Sequence, residues 1–430
     1  MIEEGSSIRR KVFIFYHEAV SSDFVHKVGE TFATKILLIG IGLVTTVIVA
    51  RILGPDGRGL YAVAAAIGAI GVQFGNLGLH ASNTYYVSKD RNLLPILVGN
   101  TLMISFVFGG LGAAMGWAIF TLFPHLVPVH RLLLVLALAW VPFGLAYMLL
   151  QNLLLGIQEV RAYNKIELIT RILGVGLIGL AILFGAVTVE TIFTMVLLAM
   201  IVSFVWALWR IREHLEGRPL PSLSLFKDNI SYGFKAYLAA LFSFLVLRVD
   251  MLMVQYLLDS EQTGYYSIAV AMADLVFMLP VAIGTILFPK LSAMSDMQVK
   301  WKSTKKVITV VGGIMVVSAV IVGFIAEPVV RMLFGKAFIP AVPAFIWLMP
   351  GIVMLSVNVV YMIYFASIGM PWITVYSPCM ALLLNVLINL ELIPLFGIVG
   401  ASISSLFSYG LMLVISIVFN YAQGKGLYEQ

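Results

Sequence analysis

Charge is what this 430-residue chain has least of: only 11% of its residues are Asp, Glu, Lys or Arg, against about 25% in a soluble domain. Apolar residues make up 61% and mean hydropathy is +1.02, so a water-soluble globular fold is excluded. There is one cysteine, Cys379, inside an apolar run. No disulfide can close within the chain, the redox compartment cannot be read from it, and a small packing residue is the expected role. Strand-length alternation is also missing, which rejects a membrane barrel. A cleavable signal peptide is not expected, because the first apolar run is too long for an h-region and lacks a small-residue cleavage site.

Long apolar runs are what the chain has instead. A span needs about 20 mostly apolar residues to cross a hydrocarbon core of roughly 30 Å, and helix is the only option for runs this long. The sequence yields twelve, the first near 31–50 and the last near 396–420. The fold class is therefore all-α: a polytopic membrane protein of about twelve transmembrane helices. Residues 1–29, with Arg9, Arg10 and Lys11 beside Val12, Phe13 and Phe15, form an amphipathic segment suited to a cytoplasmic leaflet. The one sizeable break, rich in charge and proline, divides the rest into an N-lobe (30–209), a linker (210–230), a C-lobe (231–420) and a tail (421–430).

The two lobes carry a repeat. Gly59–Ile67, GLYAVAAAI, returns at Gly264–Met272 as GYYSIAVAM with four of nine positions identical, and at the same offset Leu53 matches Leu258 and Val49 matches Val254. Six spans intervene, so the second copy enters the membrane in the same orientation as the first. The lobes should be related by a pseudo-twofold axis along the membrane normal, a common transporter design.

Lys and Arg set the orientation. Of 27, four lie within spans and five (Arg51, Arg58, Arg131, Arg331, Lys336) fall on one side, leaving eighteen on the other. Both termini are thus expected in the cytoplasm, at an inner or plasma membrane. The same bias accounts for the net charge of +6 and the Lys290–Lys306 cluster, and no nucleic-acid partner is expected.

No enzyme signature is present. Gly174, Gly176 and Gly179 form a literal GxGxxG, but no strand precedes it, and glycines in a span let helices approach closely. Neither a cofactor nor a metal is expected. Pro142, Pro280, Pro350 and Pro378 fall within spans and would kink them.

The informative residues are charges inside spans, which insertion scales put at roughly 2.5–3.5 kcal/mol each near a helix centre. They are Lys35, Arg171, Lys235, Arg248, Asp250 and Asp274. Lys35 and Lys235 lie near a span end, where snorkelling suffices. Arg171 follows Glu167 by four residues, the spacing and order of a helix-surface ion pair. Arg248 and Asp250, two apart on a helix, point roughly 200° away from each other, so each needs its own partner. Their repeat counterparts are Leu43 and Thr45, so the fold does not require charge there. An Arg248–Asp274 contact is the structural alternative to a functional role for either residue.

Arg51–Ala64, RILGPDGRGLYAVA, and Arg248–Ala269, RVDMLMVQYLLDSEQTGYYSIA, resemble the polysaccharide-biosynthesis exporters that include Wzx-type O-antigen flippases, within the multidrug/oligosaccharidyl-lipid/polysaccharide superfamily. The resemblance implies two six-helix lobes around a cavity that opens alternately to each leaflet. It implies a flippase that turns an undecaprenyl-pyrophosphate-linked oligosaccharide to the outer leaflet, with membrane lipid and glycan polymerase and ligase as further partners. Cationic cavities are common in the family, which carries over to Arg248, Arg171 and Lys35 as substrate-binding residues. The alternative is an ion-coupled multidrug exporter in which Asp250 and Asp274 hold the coupling ion, although the drug exporters usually place an aspartate in the first helix and this chain does not. A non-transporting membrane scaffold would leave the charges within spans as an uncompensated cost.

Reporter fusions test the topology: those after Leu220 and Gln430 should read cytoplasm and one after Glu261 the outside. An outside signal at Leu220 would contradict the two-lobe layout.

Overall fold

The computed structural model describes residues 22–124 and 127–428, and among them there is helix and turn but no strand. The first half contains α1 (Ser22–Asn76), α2 (Leu79–Lys89), α3 (Leu94–Met103), α4 (Gly109–Leu122), α5 (Arg131–Gly156), α6 (Val160–Leu183) and α7 (Val189–Arg212). The second contains α8 (Leu223–Val246), α9 (Val249–Leu257), α10 (Ser260–Ser292), α11 (Met297–Leu333), α12 (Ala341–Ser367), α13 (Ile373–Phe396) and α14 (Ile398–Tyr428). Most of the expected amphipathic segment, residues 1–21, lies outside the described residues.

Eleven helical stretches are long and apolar enough to cross a membrane. The first, Thr34–Asn76, has 43 residues, about 65 Å of helix, or twice a hydrocarbon core. It breaks at Gly54 (φ 68°, ψ −176°), immediately before Pro55. Only glycine adopts that backbone without strain, and proline then opens the next helix. The stretch therefore supplies two crossings, and twelve result. The helices run on through Pro142, Pro280, Pro350 and Pro378.

Three local features differ from the expectation. The seventh span is interrupted at Leu247–Arg248, between α8 and α9, where the backbone closes two tight turns onto Phe244 and Leu245. The linker is shorter than expected, because Ser222 caps α8 by accepting the Leu225 N–H (3.4 Å). Asn100 holds that cap from both sides, donating to the Ser222 carbonyl (3.2 Å) and accepting its N–H (2.8 Å). Finally, the Lys-rich stretch after Asp296 is helical, and Lys300 is only 5% exposed. Its ammonium donates to the Ser367 carbonyl at the end of α12 (3.1 Å), where carbonyls lack intrahelical partners.

Buried apolar side chains sort by half. One core is built from Val246–Met412 and takes in only Ala50 and Ala62 from the first half, whereas the other four lie essentially within 49–226. Many large apolar side chains outside these cores are exposed, as lipid-facing surface must be.

The halves meet through repeat-related glycines. A Cβ on Gly59 would stand 1.8 Å from the Ser260 carbonyl oxygen, and one on Gly264 would stand 1.9 Å from that of Pro55. Gly59 and Gly264 are counterparts in the repeat, as are Pro55 and Ser260, so residue i touches j where j touches i. Reciprocity of that kind is the mark of twofold-related surfaces. Asp56 accepts from the Ser260 hydroxyl and Arg58 Nε donates to Ser267 Oγ (3.2 Å), fastening the same crossing. Nearer the linker end, α1/α2 and α8 touch again, with added Cβ atoms on Gly78 and Gly233 each 2.7 Å from the other's carbonyl oxygen.

Gly59→Ala should therefore force α1 and α10 apart. In a Cys379→Ser background, Ser267→Cys, whose site is 2% exposed in the native chain, should label faster with a membrane-impermeant maleimide once Gly59→Ala is added. Unchanged labelling would show that the crossing tolerates a methyl group.

Candidate functional site

Between the two glycine contacts lies a cavity of about 470 Å³, lined from the first half by residues of α1 and Arg171 of α6, and from the second by Arg248, Phe334 and residues 271–278 of α10. Three guanidinium groups reach it, those of Arg58, Arg171 and Arg248, together with one carboxylate, that of Asp274. The formal balance, three positive groups against one negative, is +2.

Each cation is held differently. Arg248 occupies the break between α8 and α9 and donates to Asp274 Oδ2 at 3.0 Å, with the two side chains 31% and 40% exposed. At that exposure an ion pair contributes on the order of 1 kcal/mol or less, so it positions Arg248 more than it stabilises the fold. Besides donating to Ser267, Arg58 lies over the Tyr61 ring, 5.5 Å from its centre, a cation–π arrangement. Arg171 makes no hydrogen bond or ion pair among the described residues, and the pair expected with Glu167 is not formed. A guanidinium presents five donors in a planar fork that matches phosphate or carboxylate oxygens.

Of the five residues given a substrate-binding or ion-coupling role from the sequence, the structure brings Arg171, Arg248 and Asp274 to one cavity. Lys35 is exposed on α1 and does not line it. Asp250 is 2% exposed and points elsewhere: it accepts from the Met251 N–H (2.8 Å), the Ser405 hydroxyl (3.2 Å) and the Tyr266 hydroxyl. Arg248 and Asp250 thus do have separate partners, although the helix that was to separate them is broken. Arg58 was read only as one of the five charges on the outer side. The apolar run begins two residues after it, but the helix starts directly after Gly54, which puts Arg58 on its first turn and facing inward. Its place inside the repeated glycine segment was the available signal.

A second cavity of about 370 Å³, lined by first-half residues and by Phe244 of α8, shares Thr45, Tyr61 and Arg171 with the first. Gln73, Trp140, Tyr147 and Glu167 also line it.

A family model described as polysaccharide biosynthesis protein matches residues 48–343. A probable low-salt glycan biosynthesis flippase of Haloferax volcanii, Agl15, is 22% identical over 285 residues, which are 63% of this chain and 59% of that protein. The chain spans about half the length of the curated relatives it matches, from 37% to 59%. Among solved structures, lipid II flippase MurJ in an inward closed conformation superposes with a TM-score of 0.75 at 14% identity, over 92% of this chain and 87% of that one. An inward-facing multidrug resistance transporter of the MATE family gives 0.72 at 14% identity, over 91% and 95%. At such identities the likeness is one of fold alone.

The two acidic sites should respond differently to removal. Asp250→Ala leaves three buried donors without an acceptor, at about 1–3 kcal/mol for each unsatisfied group, and should lower the melting midpoint in detergent markedly. Arg248→Ala leaves Asp274 exposed to a wet cavity and should change it little. Equal losses would make the Arg248–Asp274 pair a structural element after all.

Proposed function

The chain belongs to the polysaccharide biosynthesis protein family, and from that premise we propose that it is a flippase. Its substrate is a polyprenyl-diphosphate-linked oligosaccharide, turned from the cytoplasmic to the outer leaflet by alternating access. The observation that carries this reading is the cavity between the halves, where Arg58, Arg171 and Arg248 outnumber Asp274. A diphosphate is the most expensive part of such a lipid to bring through hydrocarbon, and a forked, permanently charged donor array is suited to its oxygens. In this reading Arg171, free of protein partners, meets the headgroup first, while Arg58 and Arg248 are held ready by Ser267 and Asp274. Lys35 is outside the set.

The two glycine contacts supply the moving parts. Separation at Gly59–Gly264 opens the end that holds Gly54, and separation at Gly78–Gly233 opens the linker end. The positive-inside bias makes the linker end cytoplasmic. An ion-coupled exporter of cations is the weaker reading: the cavity is net positive, Asp274 is engaged by Arg248, and Asp250 is enclosed by donors.

Cells lacking the protein should accumulate lipid-linked glycan on the cytoplasmic side. In cells carrying Arg58→Ala or Arg248→Ala at normal abundance, surface glycan should fall by about tenfold or more, with partial recovery for Arg248→Lys, which keeps the charge and loses the fork. Unchanged glycan together with loss of drug export would favour the exporter. If Arg248→Ala with Asp274→Ala restored surface glycan, a headgroup role for Arg248 would be refuted.

A further inference from the structure

The second cavity is not explained by a diphosphate. It is lined by first-half residues and by Phe244 of α8, neither Arg58 nor Arg248 is among its lining residues, and it combines four aromatic rings (Tyr61, Trp140, Tyr147, Phe244) with an amide (Gln73), a carboxylate (Glu167) and Arg171. The polar groups are poorly used by the protein. Gln73, Trp140 and Arg171 make no hydrogen bond among the described residues. Glu167 and Arg171 forgo an ion pair that their spacing favours, although Glu167 is within reach of the Tyr163 hydroxyl.

The shape of the cavity is built rather than left over. Trp140 lies against glycines on two sides: a Cβ on Gly68 or on Gly144 would come within 3.0 Å of the indole. The far wall is fixed by a relay in which Gln151 donates to the Tyr147 hydroxyl (2.9 Å), which in turn bonds Thr170 (3.2 Å). Aromatic faces offer packing area, and the groups facing the cavity include donors (guanidinium, amide, indole N–H) and acceptors (the amide oxygen and a carboxylate that also meets Tyr163). A bare cation would meet Arg171, and an apolar guest would leave the polar groups unpaired.

From this we infer that the cavity of Gln73, Trp140, Tyr147 and Glu167 is a sugar subsite, taking the pyranose ring attached directly to the diphosphate. Its C–H face packs on the aromatic wall and its hydroxyls bond Glu167 and Gln73. The inference rests on the diphosphate reading, because Arg171 stands at the shared mouth of the two cavities and fixes the distance between phosphate and ring. It makes the first half of the chain the selective half: a glycan with a different first sugar would enter the inter-lobe cavity and fail here.

The test uses the full chain in lipid nanodiscs and two probes, a short-chain polyprenyl diphosphate bearing one N-acetylhexosamine and the same diphosphate without sugar. The native protein should bind the sugar-bearing probe ~10-fold or more tighter, since a site built to bond hydroxyls rejects a ligand lacking them. Glu167→Gln and Gln73→Ala, each checked for an unchanged melting midpoint, should bring that ratio to within about twofold while binding the bare diphosphate as before. No preference in the native protein would overturn the subsite, and so would variants that weaken both probes alike. Binding of neither probe would instead remove the diphosphate reading, and the subsite with it. Should one variant fail to insert, the other decides the outcome.

Discussion

A guanidinium cannot sit in hydrocarbon without water, a partner or both, and the arrangement of this molecule follows from where it lets that requirement be met. The helices present apolar side chains outward and keep Arg58, Arg171 and Arg248 on one internal surface between the halves. Among the described residues lining that cavity, Asp274 supplies the one carboxylate, so its lining is net positive. A fold needing charge there for stability would pair each guanidinium, and the weak, half-exposed pair at Arg248 contributes too little to justify the charges. In the proposed reading, an anionic cargo meets the guanidinium groups that the fold leaves unmatched.

The halves approach most closely at glycines. Gly59 against Ser260 and Gly264 against Pro55 form one close crossing, and Gly78 against Gly233 another. Glycine permits backbone contact at these places because no Cβ stands in the way. The repeat explains the first crossing: the same segment, written twice, meets its own counterpart.

Much of this could be read from the sequence. Hydropathy gives the class and the number of crossings because a span has a fixed length, and the repeat is what points to two halves. It also marks Gly59 and Gly264, although not that they touch. The Arg248–Asp274 contact could be named because their spans are neighbours. Other features could not be read. No glycine or proline announces the break at Leu247–Arg248, and Asp250 takes partners 16 and 155 residues away, a closure that local patterns do not encode. Arg58 was hidden by its place ahead of an apolar run, and the exposure of Lys35 depends on how α1 is turned against its neighbours.

Transport measured directly tests the account most sharply. Purified protein is reconstituted in liposomes with a fluorescent polyprenyl-diphosphate-linked oligosaccharide, and an impermeant quencher reports how much of the probe reaches the outer leaflet. The account predicts protein-dependent exchange of the diphosphate-linked glycan that Arg58→Ala and Arg248→Ala abolish. Exchange that persists in both variants, or that is equal for a probe without the diphosphate, would contradict it.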